Sequence, residues 1–106
     1  MITYDDFARI ELKTGRIIEA AEHPDADKLL VLKVDLGEKQ IQLVAGIKAA
    51  YAPQELVGKT IVVLVNLEPR ALRGVESQGM LLAATTAEGI RLLTVEGAPP
   101  PGCSIK

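Results

Sequence analysis

The sequence predicts an all-β domain, a small barrel of five strands with one short helix let into it. Three observations carry this reading. Apolar residues recur with a two-residue period from Leu30 to Ile47, which is the signature of strands with one buried face. Two compact apolar runs of strand length, Ile61 to Val65 and Met80 to Ala84, flank a long polar connection. The chain has 106 residues, enough for one core that buries roughly 60–70% of the extended surface, so the strands must share it.

Thr3 to Arg9 reads as a short amphipathic helix, with Thr3 as cap and Asp5 and Asp6 complementing its positive end. Ile10 to Ala21 is rich in apolar and β-branched residues, and Gly15 points to a bulge or a sharp coil there. Leu30, Leu32, Val34 and Leu36 fall on one face of the next strand, so Lys33 points outward. The turn LGEKQ leads to a hairpin partner that buries Ile41, Leu43, Ala45 and Ile47. In APQELVGK, Pro53 suits a first helical turn and Gly58 a stop. Ile61 to Val65, Met80 to Ala84 and Ile90 to Val95 supply the remaining strands, and Pro99, Pro100 and Pro101 are expected to end regular pairing.

Three strands, a short helix and two further strands in about a hundred residues is the order of the OB-fold, a five-stranded Greek-key barrel. The expected fold is therefore an OB-fold barrel with a short helix between strands three and four, a short N-terminal helix and a C-terminal extension strand. In such barrels the ligand lies across strands two and three, between the loop joining strands one and two and the loop joining strands four and five. Here those loops are HPDADK (His23 to Lys28) and NLEPRALRGVESQGM (Asn66 to Met80). The second packs an Asn, two arginines, a Ser and several turn-formers into one connection, as recognition loops do.

Composition narrows the function. Hydrophobic residues make up 48% and aromatic residues 3%, so the core is aliphatic, and the aliphatic excess points to a buried dimer seam. No apolar run approaches the length of a membrane span and the N-terminus lacks a secretion signal, so a soluble cytoplasmic chain is expected. Cys103 has no partner in the chain and reads as a bystander thiol. A net charge of −2 argues against bulk attraction to phosphate, so nucleic-acid binding would need a local patch drawn from Lys28, Lys33, Lys48, Arg70 and Arg73. Tyr4, Phe7 and Tyr51 are too few rings for a binder that stacks successive bases, which makes folded RNA the better ligand.

Site chemistry of other kinds is not encoded. His23, Asp25 and Asp27 at alternate positions raise the question of a metal, but they are better explained as turn residues around Pro24. The single histidine and a Ser77 set in VESQG give no nucleophile elbow, and phosphate-cradling glycine motifs are lacking, so no catalytic residue, cofactor or metal is assigned. Asn66, Pro69 and Gly74 are ordinary turn chemistry. Arg70 and Arg73 on one constrained loop fit bidentate phosphate contact or stacking on a base. Ser77 is suited either to a phosphate or sugar hydroxyl or to a turn hydrogen bond.

HPDADKLLVLKVDLG, PQELVGK and NLEPRALRGVESQGMLLAA together resemble the tRNA-binding domain at the C-terminus of many methionyl-tRNA synthetases (or their detached β-subunit) and of small free-standing, structure-specific tRNA-binding proteins. The resemblance covers a motif-bearing core at 7–84, followed by a looser extension at 85–106, in a single domain spanning 1–106. It implies an OB-fold homodimer that recognises the shape of tRNA with little sequence dependence, has no catalytic centre, and raises the tRNA affinity of a synthetase's catalytic chain. Carried over by position, it implies tRNA contact at Lys28, Lys33, Asn66, Arg70, Arg73, Ser77 and Met80. Glu68 and Ala71 depart from the basic residues relatives often carry, which weakens the local positive field. The alternative is a chaperone-like or protein-binding dimer of the same fold.

Overall fold

The computed structural model describes residues 1–106. In chain order its elements are α1 (Tyr4–Ala8), β1 (Leu12–Glu22), β2 (Leu30–Asp35), β3 (Gln40–Ala45), α2 (Pro53–Leu56), β4 (Thr60–Leu64), β5 (Arg70–Leu72), β6 (Val75–Ser77), β7 (Met80–Leu81), β8 (Ala83–Thr86), β9 (Gly89–Leu92) and β10 (Ser104–Ile105). The main sheet runs β3-β2-β1-β4-β7, with β10 on the start of β1, and every pairing in it is antiparallel.

β1 is the hub because it is long enough to serve two neighbours. Its first half pairs with β4, from Leu12↔Leu64 to Arg16↔Thr60, and its second half with β2, from Arg16↔Asp35 to Glu22↔Leu30. Changing partners along one strand requires it to coil. Gly15 permits this by absence: a Cβ there would lie 2.6 Å from Val34 Cγ1 and 3.2 Å from Val63 Cγ2. The bulge itself lies further on, between Ile17 and Glu19, where Ile18 has no partner across on β2. Gly15 thus marks a close approach of three strands on the coil, one of the two features expected there, while the bulge lies further along the strand.

The core is aliphatic, and the two-residue period selects it. Leu30, Leu32 and Val34 of β2 are completely buried, as are Ile17, Ile61 and Val63, while Lys33 is exposed. Leu43, Leu36, Ile41 and Ile47 join the cluster from β3 and its flanks. α2 delivers Leu56, also completely buried, into the same cluster. Removing side chains of this size from water contributes about 1.5–3 kcal/mol each, which is what closes so short a barrel.

Both helices form as the sequence predicts. In α1 the Thr3 hydroxyl accepts from the Asp6 N–H and the Asp6 carboxylate accepts from the Thr3 N–H, a reciprocal cap. Pro53 opens α2, the Ala52 N–H donates to Glu55 Oε1, and the chain leaves through Gly58 at φ +94.

The structure corrects three expectations in the second half. Met80 to Ala84 is not one strand: β7 pairs with β4, after which β8 departs to form a separate ribbon with β9, from Ala83↔Leu92 to Thr86↔Gly89. The expected extension strand Ile90 to Val95 is accordingly shorter, ending at Leu92. The three prolines interrupt pairing without ending it. Within and just beyond them, Thr14 Oγ1 donates to Pro100 O and accepts from the Cys103 N–H, and Gly102 donates to Thr14 O. That anchorage returns the chain to β1, where Leu12↔Ile105 and Lys13↔Ser104 pair.

Candidate nucleic-acid interface

The polar stretch from Asn66 to Met80 is not an open loop. It contains a β-hairpin, β5 against β6, in register Arg70↔Ser77, Ala71↔Glu76 and Leu72↔Val75. Arg73 and Gly74 form its two-residue turn, at φ 52 and φ 85. Left-handed backbone at both central positions matches the right-handed twist of the flanking strands. Glycine adopts it freely, but for an arginine it costs on the order of 1 kcal/mol. The absence of a leading Asn or Asp before Gly74 is why the hairpin is hard to see in the sequence.

Side-chain bonds to backbone groups hold this hairpin at both ends. At its base, Asn66 Oδ1 accepts from the Glu11 N–H at 3.0 Å and Asn66 Nδ2 donates to Arg9 O at 2.7 Å. On its far side it closes the barrel against β3. The Ser77 hydroxyl accepts from the Val44 N–H and donates to Gly79 O, both at 3.0 Å. One residue on, Gln78 donates its N–H to Gln42 O and accepts from the Gln42 N–H through Oε1, while Gln42 Nε2 donates to Glu76 O. Gly79 then passes so near β4 that a Cβ would lie 2.7 Å from Leu64 O. Met80 emerges opposite Leu64 with its side chain half exposed.

The loop from His23 to Lys28 meets the tip of the same hairpin. His23 is buried, its Nε2 lies 2.9 Å from Leu72 O, and its Nδ1 accepts from the Asp25 N–H at 2.9 Å. The chain closes on itself behind the ring, where the His23 N–H donates to Leu29 O. The two loops that the fold places at its ligand-binding end are therefore joined by a hydrogen bond.

Of the seven residues expected at the site, six are exposed and only Ser77 is buried. In five of the six, Lys28, Lys33, Arg70, Arg73 and Met80, the side chain makes no hydrogen bond to backbone. Three ion pairs occur, Lys13–Glu38, Lys33–Glu19 and Lys48–Glu22, so Lys28, Arg70 and Arg73 engage no carboxylate. Lys33 and Glu19 are 3.7 Å apart and largely solvated, a pair worth under about 1 kcal/mol that a phosphate can displace. Lys33 stands opposite Gln42 on β3, and Gln42 Nε2 donates to Glu76 O, so β3 links the strand bearing Lys33 to the hairpin. Lys48 is tied to Glu22 at 2.7 Å. Asn66 and Ser77 differ from the five: their polar atoms are engaged with backbone. His23, Gln42 and Gln78 were not singled out for this surface by sequence reasoning. The alternation that turns Lys33 outward also turns its neighbour Gln42 outward, which was the one available signal.

A five-stranded barrel of the OB class that exposes an unpaired ammonium on its first loop and two unpaired guanidiniums on the hairpin has the frame of a nucleic-acid-binding module. The chain belongs to the tRNA-binding domain family, whose sequence model matches residues 12–104. It is 50% identical over 105 residues to the methionine–tRNA ligase of Thermococcus kodakarensis, and 51% identical over 104 residues to that of Thermotoga maritima. These alignments cover 99% and 98% of this chain but 14% and 16% of those proteins, so the chain spans about one seventh of the length of the ligases it matches. Among solved structures, a MetRS-related protein from Pyrococcus horikoshii superimposes with a TM-score of 0.92 at 36% identity, covering 100% of this chain and 98% of that one. The CsaA chaperone protein from Picrophilus torridus superimposes with a TM-score of 0.93 at 34% identity, covering both chains completely.

Proposed function

We propose that this domain binds folded tRNA without catalysing a reaction, and that it serves as an accessory domain or subunit raising the tRNA affinity of a methionyl-tRNA synthetase catalytic chain. The observation that carries the reading is the hairpin: two arginines with no carboxylate partner, on a rigid element hydrogen-bonded both to β3 and to the loop bearing Lys28. Family membership and the methionine–tRNA ligase relatives support the same ligand. Lys28, Lys33, Arg70 and Arg73 contact phosphate and ribose, and Met80 packs on an exposed sugar or base. Asn66 and Ser77 serve the site by holding the hairpin. The whole chain, core and extension, acts as one domain in the cytoplasm; no helix of it is long and apolar enough to cross a membrane.

The domain works as a homodimer in this reading. Ile2, Tyr4 and Ile10 are strongly exposed, and Tyr4, Phe7 and Ile10 line a shallow groove with Ile105 of β10. A second copy covers this strip, and light scattering should give twice the chain mass, falling to one chain in Tyr4→Asp/Phe7→Asp. The binding test is titration with intact tRNA, tRNA half-molecules and a plain RNA hairpin. Intact tRNA should bind best. Equal affinity for all three would refute shape recognition.

A chaperone-like activity is the second reading, favoured by the close superposition on the CsaA structure. Binding of unfolded peptide that tRNA does not compete for, with no tRNA retention, would replace the first reading with this one.

A further inference from the structure

We propose that His23 is a positioning residue, a neutral imidazole that locks the arginine hairpin to the first loop and so sets the geometry of the RNA-facing mouth. The inference rests on the tRNA-binding reading and extends it to a buried residue that touches no ligand. His23 is 5% exposed, so its ring is not part of the contact surface. Its two partners fix its chemistry. A carbonyl oxygen can only accept, so the nitrogen 2.9 Å from Leu72 O must carry the proton. An amide N–H can only donate, so the nitrogen 2.9 Å from the Asp25 N–H must carry a lone pair. Only the neutral Nε2–H tautomer satisfies both.

Leu72 is a sensitive place to hold the hairpin, because it is the last residue of β5 and Arg73 comes directly after it, at φ 52 in the turn. The other hydrogen-bonded anchors of the hairpin lie toward its base, at Asn66 and at Glu76 to Gln78. His23 alone among these side chains reaches the tip. Without it the tip is held through the β5–β6 ladder, and the positions of Arg73 and of the loop bearing Lys28 are no longer tied to each other.

The ring's two nitrogens allow the roles to be separated. Asparagine keeps an oxygen near Nδ1 to accept from the Asp25 N–H but cannot reach Leu72; glutamine extends an amide N–H toward Leu72 O and gives up the first bond. If His23 positions the hairpin, His23→Asn loses about tenfold in tRNA affinity and speeds amide exchange in residues 70–77 by a similar factor, the scale of one neutral hydrogen bond. His23→Gln restores most of both. In an Arg70→Ala/Arg73→Ala background His23→Asn adds little, because the side chains it orients are gone. Ring ¹⁵N shifts of the wild-type protein should report a protonated Nε2 and a bare Nδ1. Unchanged hairpin exchange in folded His23→Asn, or a full additive loss in the arginine-free background, overturns the proposal. Wild-type protein that retains no tRNA overturns the RNA-binding reading itself, and the positioning role with it, whatever the exchange data show.

Discussion

Replacing Ser77 by alanine separates two roles that its place in the motif leaves equally open. Ser77 is only 6% exposed, and its hydroxyl bridges two backbone groups, the Val44 N–H and Gly79 O, each at 3.0 Å. Ser77→Ala removes both bonds and supplies no substitute, and no buried side-chain polar atom lacks a partner that could take over. An orphaned buried N–H costs about 1–3 kcal/mol, and the carbonyl, with a second lone pair, toward the lower end of that range, so a total of roughly 2–4 kcal/mol is expected. For a domain of this size each kcal/mol lowers the unfolding midpoint by about 4–8 °C, which puts the fall at no less than about 8 °C. The assay is thermal unfolding at one fixed protein concentration, since a dimer's midpoint depends on it, with tRNA titration well below the transition. A midpoint within about 2 °C of wild type on that same scale, together with a large loss of tRNA affinity, would refute the reasoning: the hydroxyl would then face the ligand.

Three further outcomes are expected from the same geometry. Arg73→Gly should weaken tRNA binding by about 1–3 kcal/mol, the range for a charge-assisted contact, while unfolding at an equal or higher temperature, because glycine relieves the left-handed backbone at φ 52; a fall in both would assign Arg73 to stability. The salt dependence of tRNA affinity should correspond to about three or four released counterions, and a slope characteristic of about eight or more phosphate contacts would contradict a local patch on an acidic chain. Gly15→Ala should destabilise by about 1–3 kcal/mol, measured by urea unfolding, because its Cβ would meet Val34 Cγ1 at 2.6 Å; an unchanged midpoint would mean the three strands have slack.

The sequence alone determined the barrel, its aliphatic core and the pair of loops at its mouth, since each depends on short-range pattern. Leu30, Leu32 and Val34 alternate with Val31 and Lys33 because a strand has a period of two, and no distant residue is needed to see which face is apolar. Thr3, Pro53 and Gly58 announce helix ends through the same local chemistry. The outward turn of Lys33 was legible for this reason too. What only the tertiary structure decided is which side chains are consumed in holding others. Asn66 meets Arg9 and Glu11, Ser77 meets Val44, and His23 meets Leu72, partners tens of residues away whose approach depends on how the barrel closes. A serine or histidine in a loop has the same donors and acceptors whether it faces solvent or backbone, so its sequence neighbours cannot assign its role. The turn at Arg73 belongs to the same class: its left-handed backbone is imposed by a hairpin pinned at base, side and tip, and overrides what the residue prefers by itself.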